Sequence, residues 1–167
     1  MKTQLFCYLL IAGALLGCGK KSDDPGPTGN GKTTATLKVT RDGKTITDFQ
    51  TTTAFFLADD HYTITLDSPQ KVGAAPRSSV MLTVEGNTVG TYPFGDQTQK
   101  PGAGLLLFSY DLSPVGDDDP GMLGPNDGEL KLTTVTASRC TGSFKATGGG
   151  GPNPSTYTIE GTFDIQK

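Results

Sequence analysis

From Thr33 onward the chain is a succession of short stretches in which apolar and polar residues alternate. Ala35, Leu37 and Val39 alternate with Thr36, Lys38 and Thr40. A period of two puts one set on each face of an extended strand. Arg41-Asp42-Gly43-Lys44 then predicts a tight turn. The stretch from Thr45 to Ala58, carrying Ile46, Phe49, Phe55, Phe56 and Leu57, holds one or two strands, with Asp59-Asp60 as the next break. Tyr62, Ile64 and Leu66 alternate with Thr63, Thr65 and Asp67, and after a loop from Ser68 to Arg77 come Val80, Leu82 and Val84. Glu85-Gly86-Asn87-Thr88 turns the chain again.

The second half repeats the scheme. Leu105-Leu106-Leu107-Phe108 is a continuous apolar run, as a strand buried on both faces would be. Leu130 and Leu132 mark another strand. The last two run from Ser138 to Thr147 and from Thr156 to Ile165, joined by the Gly148–Ser155 loop. In the final strand Tyr157, Ile159, Gly161, Phe163 and Ile165 share one face. The pattern therefore predicts an all-β domain over residues 33–167, a single antiparallel β-sandwich or small β-barrel of about eight or nine strands. Composition agrees: 25 Thr, 23 Gly and 11 Pro in 167 residues are β-branched residues punctuated by turn formers.

Residues 1–17 follow a different rule. Lys2 precedes an apolar run from Leu5 to Leu16, the arrangement of an export signal and too short for a permanent span of ~20 residues. Leu15-Leu16-Gly17-Cys18 resembles the lipobox of bacterial lipoproteins. That resemblance implies cleavage after Gly17 and acylation of Cys18: the peptidase requires a small residue before the cut, and the lipid is attached through a thiol. Residues 18–32 then form a lipidated N-terminus and flexible tether, rich in Gly and Pro and without apolar periodicity. Lys20-Lys21-Ser22-Asp23-Asp24 reads either as a polar linker or, by resemblance to the acidic export signal of Bacteroidota lipoproteins, as an address that implies a lipid-anchored protein of the cell envelope at the outer membrane, exposed on its outer face.

Charge narrows the partners. Fourteen basic and seventeen acidic residues give a net charge of −3, without the basic excess of a nucleic-acid binder. The expected partner is the membrane, through the lipid, with a protein or glycan as a further one. Of three cysteines, Cys7 leaves with the signal and Cys18 carries lipid, so Cys140 has no intrachain partner. Period two puts it on the same face as Gly142 and Phe144, which predicts a buried and unreactive thiol.

Two short motifs echo each other, Gly142-Ser143-Phe144 and Gly161-Thr162-Phe163. Paired across the glycine-rich loop, they would set glycine beside an aromatic ring. With Gly90-Thr91-Tyr92-Pro93, these motifs resemble a group of small all-β lipoproteins of Bacteroidota over Val80 to Lys167, which implies a fold and no particular activity.

Candidate chemistry is thin, and no cofactor is expected. His61, beside Asp59-Asp60, is the sole histidine and the one residue on which a small hydrolase with an acidic partner could be built. Zinc would need more His or Cys than the domain has. The acidic loop from Val115 to Glu129 offers hard oxygen ligands suited to calcium but lacks the EF-hand spacing. For a glycan site or a small-ligand barrel, the absence of Trp and the inward parity of Tyr62 and Tyr157 leave Tyr92 and Tyr110 as the rings free to stack. The expectation is a non-enzymatic surface or periplasmic binding or structural module.

Overall fold

The computed structural model describes residues 32–58, 62–95, 102–113, 118, 120–149 and 155–167. They form thirteen strands and one 3-10 turn (Tyr110–Leu112). One sheet has six strands, in the order β2 (Lys44–Thr51), β1 (Thr34–Arg41), β13 (Thr156–Gln166), β12 (Arg139–Gly149), β11 (Asp127–Val135) and β8 (Gly90–Pro93). The other has five: β10 (Gly121–Leu123), β9 (Ala103–Ser109), β7 (Ser78–Val84), β4 (Tyr62–Asp67) and β3 (Ala54–Ala58). All ladders within these two sheets are antiparallel. The architecture is all-β and sandwich-like, and the described strands do not close into a barrel.

The count of thirteen exceeds the expected eight or nine because two segments that read as loops, and the Gly90-Thr91-Tyr92-Pro93 motif, contain short strands. The Ser68–Arg77 stretch holds the two-residue hairpin of β5 (Lys71–Val72) and β6 (Ala75–Pro76). Tyr92 pairs into β8, and Met122 sits on β10 inside the acidic stretch. Strands of two to four residues are too short to show a period. The β1–β2 turn is as expected: Asp42 and Gly43 both have positive φ (49° and 77°), the left-handed pair that suits two strands twisting together.

The inner faces follow the alternation closely. Ala35, Leu37 and Val39 from β1, Ile159, Phe163 and Ile165 from β13, and Ile64, Leu66, Val80, Leu82 and Leu107 from the other sheet are all buried in one core. Burying side chains of this size stabilises by ~1.5–3 kcal/mol each. One expectation fails. In β9, Leu105 and Leu107 face the core, whereas Leu106 and Phe108 point outward and are half-buried. The run is apolar throughout because Leu106 and Phe108 lie beside Met81 and Met122 on the outer face.

The paired motifs meet as read. Ser143 lies opposite Thr162, which places Phe144 across from Gly161 and Phe163 across from Gly142. Each ring covers its glycine: a Cβ on Gly161 would lie 2.6 Å from Phe144 Cζ, and one on Gly142 would lie 2.7 Å from Phe163 Cζ. Only a residue without a side chain lets the ring lie flat on the neighbouring backbone.

Candidate binding surface

The register brings outward-facing residues of five strands into one row. Asp48 lies opposite Lys38, Lys38 opposite Glu160, Glu160 opposite Lys145, and Lys145 opposite Glu129. Acid and base alternate across the sheet, the arrangement that cross-strand pairs favour. Lys145 Nζ is 3.4 Å from a Glu160 carboxylate oxygen. The next row is made of hydroxyls and one amine: Thr36, Thr162, Ser143 and Lys131 are consecutive register partners, and the Thr36 and Thr162 hydroxyls are 2.9 Å apart. The two rows line an open groove of about 500 Å³. Further along, Arg139 donates from Nε and Nη2 to the two Asp164 carboxylate oxygens at 2.9 and 2.7 Å. Those hydrogen bonds hold the Asp164 carboxyl below its ordinary value, against the smaller upward pull of burial.

A second, smaller hollow of about 230 Å³ lies where β2 meets the β4–β7 connection. Arg77 Nε donates to Asp111 Oδ1 at 2.8 Å, and the Thr47 hydroxyl donates to Asp111 Oδ2 at 2.8 Å. Ser78 and Ser109 share a buried hydroxyl–hydroxyl bond of 2.7 Å. Both Asp111 oxygens are thus satisfied within the fold, and the cluster joins β2 to the second sheet.

The residues singled out from sequence fare unevenly. Cys140 is fully buried, and burial pushes its thiol up from 9.0 to about 11. Tyr62, in the same core, is itself buried, and its phenol is raised first by desolvation and then by Cys140. Tyr92, expected as a free ring, is buried and donates to the Thr88 carbonyl at 2.6 Å, so it is unavailable for stacking. Its phenol needs an acceptor once inside, and the turn before β8 supplies one. Tyr110 opens the 3-10 turn. Of the acidic loop, Asp127 Oδ1 accepts from the Gly128 amide and Glu129 belongs to the charged row. Residues 115–117 and 119 of that loop lie outside the described residues, as do His61 and residues 1–31, with the expected signal, Cys18 and most of the expected tether. Among the described residues no three His, Cys, Asp or Glu side chains gather as a metal site would require.

The charged row was missed in the sequence although its members are visible there. Lys38, Glu160, Lys145, Glu129 and Asp48 each have outward parity, but only the strand order makes them neighbours. Comparison with family models, curated proteins and solved structures finds no match for the chain.

Proposed function

We propose that this is an exported lipoprotein of a Bacteroidota-type envelope, anchored through acylated Cys18, whose β-domain is a non-enzymatic binding module. The Leu15-Leu16-Gly17-Cys18 register supports the anchor, and the charged groove supports the module. The groove of the six-stranded sheet is the binding surface. Its alternating carboxylates and ammoniums, with hydroxyls beside them, match a polar ligand rich in donors and acceptors, a glycan or a polar protein surface. Among the described residues the two rows themselves are made of charged and hydroxyl side chains, with the inward Phe144 beneath them, so recognition there is by hydrogen bonds rather than by ring stacking.

The anchor and the groove are tested separately. Cys18→Ser cannot form the thioether and leaves the membrane fraction; persistent membrane association overturns the anchor. A glycan array probed with the wild type and with a Lys38→Ala, Lys145→Ala double variant reads the groove. Binding lost in the double variant supports the assignment, and binding equal in both removes it.

A further inference from the structure

The outer face of the five-stranded sheet differs from that groove in kind. Phe55 and Leu57 on β3, Met81 on β7, Leu106 and Phe108 on β9 and Met122 on β10 all project from it. Phe55, Leu57 and Met122 are 47%, 57% and 67% exposed. Register sets five of the six in two rows, Phe55–Thr65–Met81–Leu106 across four strands and Phe108 beside Met122, while the row of Leu57 continues through Thr63, Thr83 and Gly104. The remaining outward positions of the face are Thr63, Thr83, Ser79, Gly104 and one acid, Asp67, which accepts a hydrogen bond from the Ser79 hydroxyl at 2.6 Å. The six apolar side chains form two groups, Phe55 and Leu57 on the edge strand and Met81, Leu106, Phe108 and Met122 beyond β4, whose own outward residues are Thr63, Thr65 and Asp67. Exposed apolar side chains gathered on one face in this way mark an interaction surface. Phe55 and Leu57 also lie on a strand that pairs on one side only among the described strands, since β3 ends its sheet.

The point at which the chain enters the fold says what covers it. Thirty-one residues precede the described structure, and the first anchored side chain, Thr33, exchanges hydrogen bonds with the Gln166 backbone at 3.1 and 3.2 Å. The next residue, Lys167, sets its ammonium 4.5 Å above the ring of Phe56, between Phe55 and Leu57 in β3. The Phe56 ring faces inward, so the chain enters the fold at the seam between the two sheets, along the edge strand whose outer side carries Phe55 and Leu57. From Cys18 to Thr33 an extended chain reaches a few tens of Å at ~3.3 Å per residue, the scale of the domain itself. We propose that the outer face of the five-stranded sheet, led by Phe55 and Leu57, rests on the lipid bilayer that holds the acylated Cys18. This rests on the anchor assigned above. The lipid holds the protein at the membrane, and the apolar face sets its orientation there, with the charged groove turned to water.

The chain contains no tryptophan, so one introduced residue is a unique reporter. Full-length lipidated Leu57→Trp protein is reconstituted into phosphatidylcholine vesicles with plain or brominated acyl chains, alongside Lys131→Trp on the charged face. Phe55→Trp, an aromatic exchange two positions away, serves as a second reporter, and cooperative melting of each variant establishes its fold. The expected result is at least a two-fold loss of fluorescence at positions 57 and 55 in brominated vesicles and none at 131, with iodide quenching following the opposite order. Vesicle flotation with residues 55 and 57 as open to iodide as 131 overturns the docking alone. Shielding of residue 57 without vesicles, increasing with protein concentration, also overturns it and assigns the face to a second copy. A lipidated chain that fails to float with vesicles overturns anchor and docking together.

Discussion

The two outer faces of this molecule are built on the same strand pattern and end in opposite chemistry. Both sheets turn a mainly apolar set inward, from Leu37 and Ile159 on one side to Ile64 and Leu107 on the other, with a few buried hydroxyls such as Ser78 and Ser109. Outward, one carries Asp48, Lys38, Glu160, Lys145 and Glu129 in a row, and the other carries Phe55, Met81 and Leu106. Alternation alone dictates which residues go in. It leaves the outward residues to be set by what each face meets. The interior holds the fold, and the exteriors are available for separate uses.

That division predicts a hierarchy of effects. Truncation after Glu160 removes Phe163 and Ile165 and half of a strand paired on both sides, with β1 and with β12. The loss approaches the whole ~5–15 kcal/mol of a small domain, so the product is expected to be insoluble or unfolded in a soluble-fraction and urea-melt assay. A truncated chain that melts cooperatively near the parent temperature would break the premise that both faces share one core.

Gly161→Ala reaches the same interior more gently. Its Cβ meets the Phe144 ring and, closer still, the Thr36 carbonyl, and such overpacking costs ~1–3 kcal/mol, read from the urea midpoint. Cys140 tests the core by pH. Its folded thiol is held protonated up to about 11, above its ordinary 9.0, so its contribution to stability is complete below pH 9 and falls as pH rises through 11. Cys140→Ala should flatten that alkaline limb of urea midpoint against pH. The native thiol should also react slowly with a thiol reagent and rapidly once unfolded.

Substitutions confined to the outer faces should be smaller still. Lys145→Ala removes an exposed pair worth at most ~1 kcal/mol, an effect that shrinks with added salt. Leu57→Ser, on the apolar face, should change stability by no more than ~0.5 kcal/mol and show no salt dependence. Salt response in chemical melts thus separates the faces. Deletion of residues 19–31 should leave the melting temperature where it was.

The inward residues were legible because burial enforces a period of two over strands of six or more residues, as in β4 and β7. The Gly142/Phe163 and Gly161/Phe144 contacts were legible because consecutive strands pair across one loop. The charged row was not, because it draws on β2, β1, β13, β12 and β11, and β13 enters between β1 and β12 from the far end of the chain. The apolar outer face hid for a different reason. In Leu105–Phe108 it merges with the core signal, and a run with no polar partner cannot show which of its residues point out.

The position of β13 has a kinetic consequence. The six-stranded sheet joins its two halves only when the last strand slots beside the first, a contact between Thr33 and Gln166 that spans 133 positions. Loop-closure entropy must be met before that pairing returns any stabilisation, so folding is slow and waits for the final residues to become available. Until then β1 and β12 present open edges on a partly formed sheet, the interval in which such a chain is most exposed to aggregation and proteolysis.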